Sequence, residues 1–339
     1  MFRKLYDIFI GKDFSWWLRL FKKIIRNPYL LFARLQYNFK RSYYDMLSRI
    51  GIVRHKHNII FIAGMPMSAT TWIKTMVARI PGYFVRTTPM PYSVAVNQDI
   101  SVSAFKYTPK YGYSIFKTHL NPSKDNIQII LNNNVKKVIV SYRDLRDVVV
   151  ARYHRLIKIP KTKRDPYYVD YSKMPKEQAI NHCIDIVMQD YIPWIEGWFL
   201  VADQYEDLVH FCRFEDLVRD PSNEFEKILN FYEISLESEI KTKIILQTRG
   251  KGDMVSNINK GTLQSWAYSS NFRSGKIGGW RSDFNQKNID YFNSYSSSKV
   301  RGGGVLLDLS HEIDYLQWLF GKINRIEYKK IKTVSNLKI

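Results

Sequence analysis

A chain of 339 residues can bury one sizeable core and a smaller appendage. Its composition, 45% hydrophobic, 15% aromatic and 24% charged, is that of a globular protein and excludes long disordered tracts. A formal net charge of +21 points to polyanionic partners: nucleic acid, an anionic membrane face or a nucleotide-like substrate.

Residues 1–57 stand apart, with 13 Lys/Arg against 3 Asp and 13 aromatics. Phe14, Trp17, Leu18, Phe21, Ile24 and Ile25 share one helical face, and Arg19, Lys22, Lys23 and Arg26 lie towards the other. The pattern suits a helix in an anionic membrane interface, and equally a helical extension packed on the main domain. From residue 58 to about residue 293, short β-like runs alternate with helical patterns. Strands are predicted over 59–63, 113–117, 135–142 and 208–214, and helices over 70–80, 144–157, 176–200 and 223–232. Continuous apolar strands alternating with helices imply a parallel sheet covered on both faces. Residues 294–301 read as a linker before a final segment to residue 339. Cys183 and Cys212 sit in apolar contexts and read as buried free thiols. The start has no compact apolar run with a small-residue cleavage site, and no stretch reaches about 18 uncharged apolar residues, so neither a leader nor a spanning helix is expected.

The stretch "IIFIAGMPMSATTWI", residues 59–73, is an apolar run stopped by Gly64, then a small and hydroxyl-rich loop, then a helix start. Strand, tight phosphate loop and helix N-terminus read in this way. As a nucleoside-triphosphate loop it fails: the second glycine is Ala69 and the lysine is Thr70. Backbone N–H groups, the Ser68, Thr70 and Thr71 hydroxyls and the helix dipole still suffice for one phosphate.

Five segments in order resemble the motifs of the cytosolic-type sulfotransferases, which move a sulfuryl group from 3′-phosphoadenosine-5′-phosphosulfate (PAPS) to an acceptor hydroxyl or amine. They are "PMSATTW" (66–72), "FKTHL" (116–120), "VSYRDLRDVVVARYH" (140–154), "CRFEDLVRDPSNEFEKILNFYEI" (212–234) and "RSGKIGGW" (273–280). The resemblance implies a P-loop-like α/β/α three-layer sandwich around a mostly parallel sheet. It implies a 5′-phosphosulfate loop of Pro66, Met67, Ser68, Ala69, Thr70, Thr71 and Trp72. Trp72 and Phe214 would flank the adenine, and Arg143, with Arg273, Ser274 and Gly275, would hold the 3′-phosphate.

His119 is the candidate general base, because an attacking hydroxyl must lose its proton and imidazole suits that near neutral pH. Lys117, two residues earlier on an extended segment, points to the same side and can neutralise charge on the transferring sulfuryl oxygens. Glu215 and Asp216 read as structural, since carboxylates would repel the donor. No metal is expected: the chemistry does not require one, and no Cys/His spacing suggests one.

Three residues depart from the family pattern. Met67 stands where the family carries a Lys or Arg, and losing that contact to the leaving phosphate costs about 3–4 kcal/mol by analogy with a lost oxyanion donor. Ala69 replaces a glycine. Ala151 replaces a serine of the 3′-phosphate site, a loss of about 1.5–3 kcal/mol. A degenerate nucleotide- or polyanion-binding protein is therefore the alternative to a transferase. A nucleic-acid partner is not expected, for no recognition signature accompanies the charge.

The acceptor is expected to be a carbohydrate or lipid-linked hydroxyl, met by loops near 84–112 and 155–175, in a cytoplasmic protein peripheral to the inner face of a membrane. The segment "GGGVLLDLSHEIDYLQWLFGKI", 302–323, resembles the start of the C-terminal domain of the glucose–fructose oxidoreductase-like sugar dehydrogenases, with His311 at that family's substrate-side histidine. Without an upstream GxGxxG fingerprint it reads as an inert fragment.

Overall fold

The computed structural model describes residues 28–85, 97–106, 108–158, 169–248 and 276–297. The chain divides into two compact units, Met1–Asn285 and Gln286–Ile339.

The first unit opens with helix α1, Pro28–Arg49, then strand β1, Ile59–Gly64, every residue of which is buried. Helix α2, Thr70–Val77, and the short strand β2, Tyr83–Val85, follow. Strand β3 is Tyr113–Thr118, helix α3 Lys124–Asn132 and strand β4 Val138–Tyr142. Helix α4, Leu145–Lys158, and the long helix α5, Lys176–Gln204, precede strand β5, Val209–Arg213. Helices α6, Phe214–Arg219, α7, Pro221–Phe231, and α8, Ser238–Thr248, complete its larger elements. In the second unit the described residues form one helix, α9, Gln286–Ser297.

The five strands form one sheet in the order β2-β3-β1-β4-β5, with every pairing parallel. Alternate residues serve its two faces. Ile60, Ile62, Ile115, Ile139 and Cys212 pack against Ile73, Met76 and Val77 of α2 and Phe225, Ile228 and Leu229 of α7. On the opposite face Phe61 stacks on Phe116 with centroids 6.1 Å apart, and Phe199 of α5 stacks on Phe211 at 4.5 Å. A parallel sheet buried on both sides is what the apolar strands require. Both cysteines are buried free thiols.

Local chemistry moves several boundaries. Helix α2 stops at Val77 because Arg79 and Ile80 donate to carbonyls three residues back, and Pro81 disfavours the helical region for Ile80. Strand β4 starts at Val138, later than predicted, because Asn134 at φ 63° and the Val135 N–H, bonded to the Ile130 carbonyl, terminate α3. Helix α7 begins earlier than predicted, with Asp220 accepting from the Asn223 N–H and Pro221 in the first turn.

Helix α1 docks on edge strand β2. Tyr37 and Tyr44 place their rings 5.6 and 5.9 Å from Phe84, and the Tyr37 hydroxyl donates to the Val85 carbonyl at 3.2 Å. The amphipathic pattern over 14–26, the loop residues Arg273, Ser274 and Gly275, and the segment 302–323 lie outside the described residues.

Candidate active site

The sheet order reverses at β1, so the crevice beyond the carboxyl ends of its central strands is the natural ligand position. The register brings four sequence motifs to that edge. Ala63 pairs with Thr118, Gly64 with Ser141, and Tyr142 with Arg213. The next residues along β3, β4 and β5 are His119, Arg143 and Phe214, beside the loop that leaves β1.

That loop admits little variation at its start. A Cβ on Gly64 would lie 1.9 Å from Thr70 Cγ2 and 2.3 Å from Ser141 Oγ. Met67 and Ala69 adopt φ 69° and 65°, a left-handed conformation costly for residues with a Cβ. The Ser68 hydroxyl is wholly buried, donating to the Met65 carbonyl at 2.6 Å and lying 2.8 Å from Ser141 Oγ. It therefore sets the shape of the loop, and the outward groups are the N–H donors at the start of α2. Thr70 and Pro66 are buried and Thr71 is half-buried. The Trp72 indole packs against the core and donates to Thr248 Oγ1 of α8 at 3.3 Å.

Arg143 joins three motifs. Its guanidinium carbon lies 3.9 Å from the Phe214 ring centroid, Nη1 donates to the Met67 carbonyl at 3.3 Å, and Nη2 donates to the Lys276 carbonyl at 3.1 Å. Nη2 also lies 3.5 Å from Asp147 Oδ2. Buried Nε meets no hydrogen-bond partner among the described residues. Asp147 in turn accepts from the N–H groups of Gly278 at 2.8 Å and Trp280 at 2.9 Å, fixing the late loop to α4. Arg146 forms a bidentate pair with Asp144 and lies 4.5 Å from the Trp280 centroid. Burial pushes the Asp144 carboxyl up, but the Arg146 contacts outweigh it and hold the group below its ordinary range. Glu215 accepts from the Asp144 N–H and from Arg213 Nε, both at 3.1 Å. Buried Glu215 thus secures the turn between strand and helix.

His119 is held from three sides. Its N–H donates to Gln98 Oε1 at 2.8 Å, and its carbonyl accepts from the Gln98 N–H at 3.1 Å. The carbonyl of the next residue, Leu120, accepts from the indoles of Trp194 and Trp198 on α5. On the ring, Nδ1 contacts the Gly64 carbonyl. A carbonyl only accepts, so Nδ1 carries the proton and Nε2 keeps its lone pair. Burial first, then the Lys117 charge, push the imidazole down to about 3, against the pull of the Gly64 carbonyl. Lys117 is lowered to about 8 by burial, and then by Lys74 and Arg155. Both side chains keep some surface open to solvent.

Lys74 and Arg155 escaped the sequence reading. Lys74 sits one turn into α2, is only 8% exposed, and looks like an ordinary helix-surface residue until α2 is placed against β1 and β3. Its only sequence signal is a lysine beside the apolar Ile73, Met76 and Val77. Among the described residues no group of three His, Cys, Asp or Glu side chains is arranged to hold a metal.

A family model described as the sulfotransferase domain matches residues 57–304. Sulfotransferase 1C2 of Rattus norvegicus is 25% identical over 297 residues, covering 79% of this chain and 91% of its own. Flavonol 3-sulfotransferase of Flaveria bidentis is 23% identical over 274 residues, covering 74% and 84%. Among solved structures, mouse sulfotransferase SULT7A1, crystallised with PAP, superposes with a TM-score of 0.54 at 19% identity, over 77% of this chain and 89% of that one, and shares the fold. The family match spans well over half of the chain, from β1 through the late loop that Asp147 holds, and the chain belongs to the sulfotransferase domain family.

Proposed function

We propose that the chain transfers a sulfuryl group from PAPS to an acceptor hydroxyl, with His119 as the general base. The observation that carries this reading is the contact between His119 Nδ1 and the Gly64 carbonyl, which leaves Nε2 free to take the hydroxyl proton. PAPS supplies the sulfuryl group and departs as 3′,5′-adenosine bisphosphate. The unmatched Nε of Arg143 fits a 3′-phosphate, and the N–H groups at the start of α2 fit a 5′-phosphosulfate. Lys117 offsets negative charge gathering on the transferring oxygens. The anionic donor also offsets the Lys117 charge, which raises the basicity of His119 when both are in place.

Met67 favours a second reading, a degenerate nucleotide binder, because a thioether cannot stabilise a leaving phosphate. Lys74 weighs against it: its charge acts directly on Lys117, so a cation stands near the site from another element. Calorimetry at fixed salt with 3′,5′-adenosine bisphosphate, AMP and ATP tests the donor. Micromolar or tighter binding that requires the 3′-phosphate and disappears in Arg143→Ala is expected. A preference for ATP would overturn the reading. Transfer activity, compared with Met67→Lys, then separates the enzyme from the degenerate protein.

We place the catalytic domain at 58–293, the N-terminal extension at 1–57 and an inert segment at 294–339. The extension is proposed to rest on the cytoplasmic face of an anionic membrane and to present a carbohydrate or lipid-linked acceptor. Support comes from α1, whose Phe32, Leu35, Phe39 and Met46 form an exposed apolar stripe at helical spacing, with Lys40, Arg41 and Arg49 on the same helix. No described helix is long and apolar enough to cross a membrane. Co-sedimentation with phosphatidylserine vesicles but not phosphatidylcholine vesicles, abolished by Phe32→Ser with Phe39→Ser, is the expected result; equal binding to both or to neither would refute it.

A further inference from the structure

Resting on that transferase reading, we propose that Gln98 is the positioning residue of the base: its main chain and its amide oxygen together hold His119 where the ring meets the Gly64 carbonyl.

His119 stands past the paired end of β3. Strand β1 pairs with β3 up to Thr118, and β2 pairs with β3 only up to Ile115. Beyond Ile115 the outer edge of the chain needs another partner. Gln98 supplies it as an isolated parallel bridge to Leu120. Its N–H donates to the His119 carbonyl at 3.1 Å, and its carbonyl accepts from the Asn121 N–H at 2.9 Å. Its side chain reaches back along the strand: Oε1 accepts from the His119 N–H at 2.8 Å and from the Thr118 hydroxyl at 3.0 Å. A main-chain N–H only donates, so the amide oxygen and not its nitrogen faces His119. Both polar groups of the His119 main chain thus end on one residue.

Gln98 is itself braced. The buried Asn126 of α3 donates from Nδ2 to Asp99 Oδ1 and to the Asn121 carbonyl, each at 2.9 Å, and its Oδ1 accepts from the Ile100 N–H at 3.1 Å. The residues after Gln98 and those after His119 are therefore tied to one side chain.

Burial and the charges of Lys117 and Arg155 keep the imidazole neutral, but none of these chooses between its two nitrogens. Lys74 acts on the neighbouring Lys117, and the Asp99 carboxylate is engaged by Asn126. The choice comes from the contact of Nδ1 with the Gly64 carbonyl, which depends on where the His119 main chain is held. Gln98 is uncharged, so it places the ring without altering its charge.

The test reads the tautomer directly, by nitrogen NMR of the full chain carrying isotope-labelled histidine at pH 7, with and without 3′,5′-adenosine bisphosphate. His119→Gln identifies the signal among the seven histidines. In the wild-type chain the Nδ1–H form should exceed the Nε2–H form tenfold or more. Gln98→Leu, which removes the acceptor, and Gln98→Asn, which falls one methylene short, should each bring that ratio below threefold. Gln98→Glu keeps an acceptor oxygen at the same reach and should hold the ratio at tenfold or more. Nucleotide affinity should be unchanged in all three, because Gln98 bonds to residues 118–121 and not to the donor loop. A wild-type ratio in Gln98→Leu and Gln98→Asn would overturn the proposal, even if both variants melt lower, since the role would then be structural alone. So would a Gln98→Glu ring that loses its preference. Failure of 3′,5′-adenosine bisphosphate to bind the wild-type chain would overturn the donor reading and leave the tautomer ratio standing, a distinguishable result.

Discussion

The imidazole of His119 donates a hydrogen bond from Nδ1–H to the main-chain carbonyl of Gly64, tying the residue after β3 to the last residue of β1. The tautomer of the ring is thus set by backbone, and no carboxylate is needed to orient it.

Acid should expose that arrangement. The folded imidazole titrates near 3 against an ordinary 6.5, so the unfolded chain binds more protons between those values. The stabilisation is complete above about pH 6.5 and is lost as the pH falls towards 3. His210, lowered to about 4 by burial and by Lys227, adds in the same sense. Thermal midpoints measured from pH 7 to pH 4 should fall steadily, and His119→Gln should flatten the slope. An unchanged slope would show that the ring is not held neutral.

The left-handed conformation of Ala69 gives a prediction of opposite sign. With φ at 65°, Ala69→Gly removes the Cβ penalty and should stabilise the fold by about 1 kcal/mol. Urea denaturation reads this directly, and a destabilised Ala69→Gly would mean that the loop does not hold this conformation in solution.

At Gly64 the constraint is space. The Cβ of Gly64→Ala would meet Thr70 Cγ2 at 1.9 Å and Ser141 Oγ at 2.3 Å, both short of any tolerated contact. A loss of roughly 1–3 kcal/mol is expected. Transfer activity should suffer more than the melting point suggests, because the same residue holds His119. Wild-type activity in Gly64→Ala would refute this coupling.

Asp147→Ala should detach the late loop from α4. Two N–H groups, of Gly278 and Trp280, lose their acceptor, at a cost of roughly 2–4 kcal/mol. Affinity for 3′,5′-adenosine bisphosphate should fall with stability, since Arg143 shares the same carboxylate. Calorimetry showing an unchanged Kd would separate the loop from the nucleotide site.

Much of the architecture was legible in the sequence because the buried strands are continuous apolar runs and each functional motif directly follows one. Placement of His119, Arg143 and Phe214 along one edge follows from a parallel register, which the strand–helix alternation already implies. Strand β2 was missed because three residues leave too little period to read. Helix α3 was hidden by its polar content, and its C-terminal turn absorbed residues that look like strand. The site was legible where a motif is local and illegible where partners come from distant segments. Nothing around Lys74 or Arg155 announces that both charges act on Lys117, and nothing around Asp147 names the N–H groups of Gly278 and Trp280. The Ser68 hydroxyl reads as a phosphate ligand in isolation, but the fold turns it inward to Ser141.

Helix α1 does more than extend the chain. Its tyrosines cover Phe84, and one of them takes up a carbonyl of β2, the outermost strand on that side of the sheet. A chain trimmed to begin at residue 57, where the family match starts, would bare that strand and its aromatic ring. Open strand edges recruit other chains. The trimmed protein should self-associate in light scattering, so the extension acts as an intramolecular guard against aggregation.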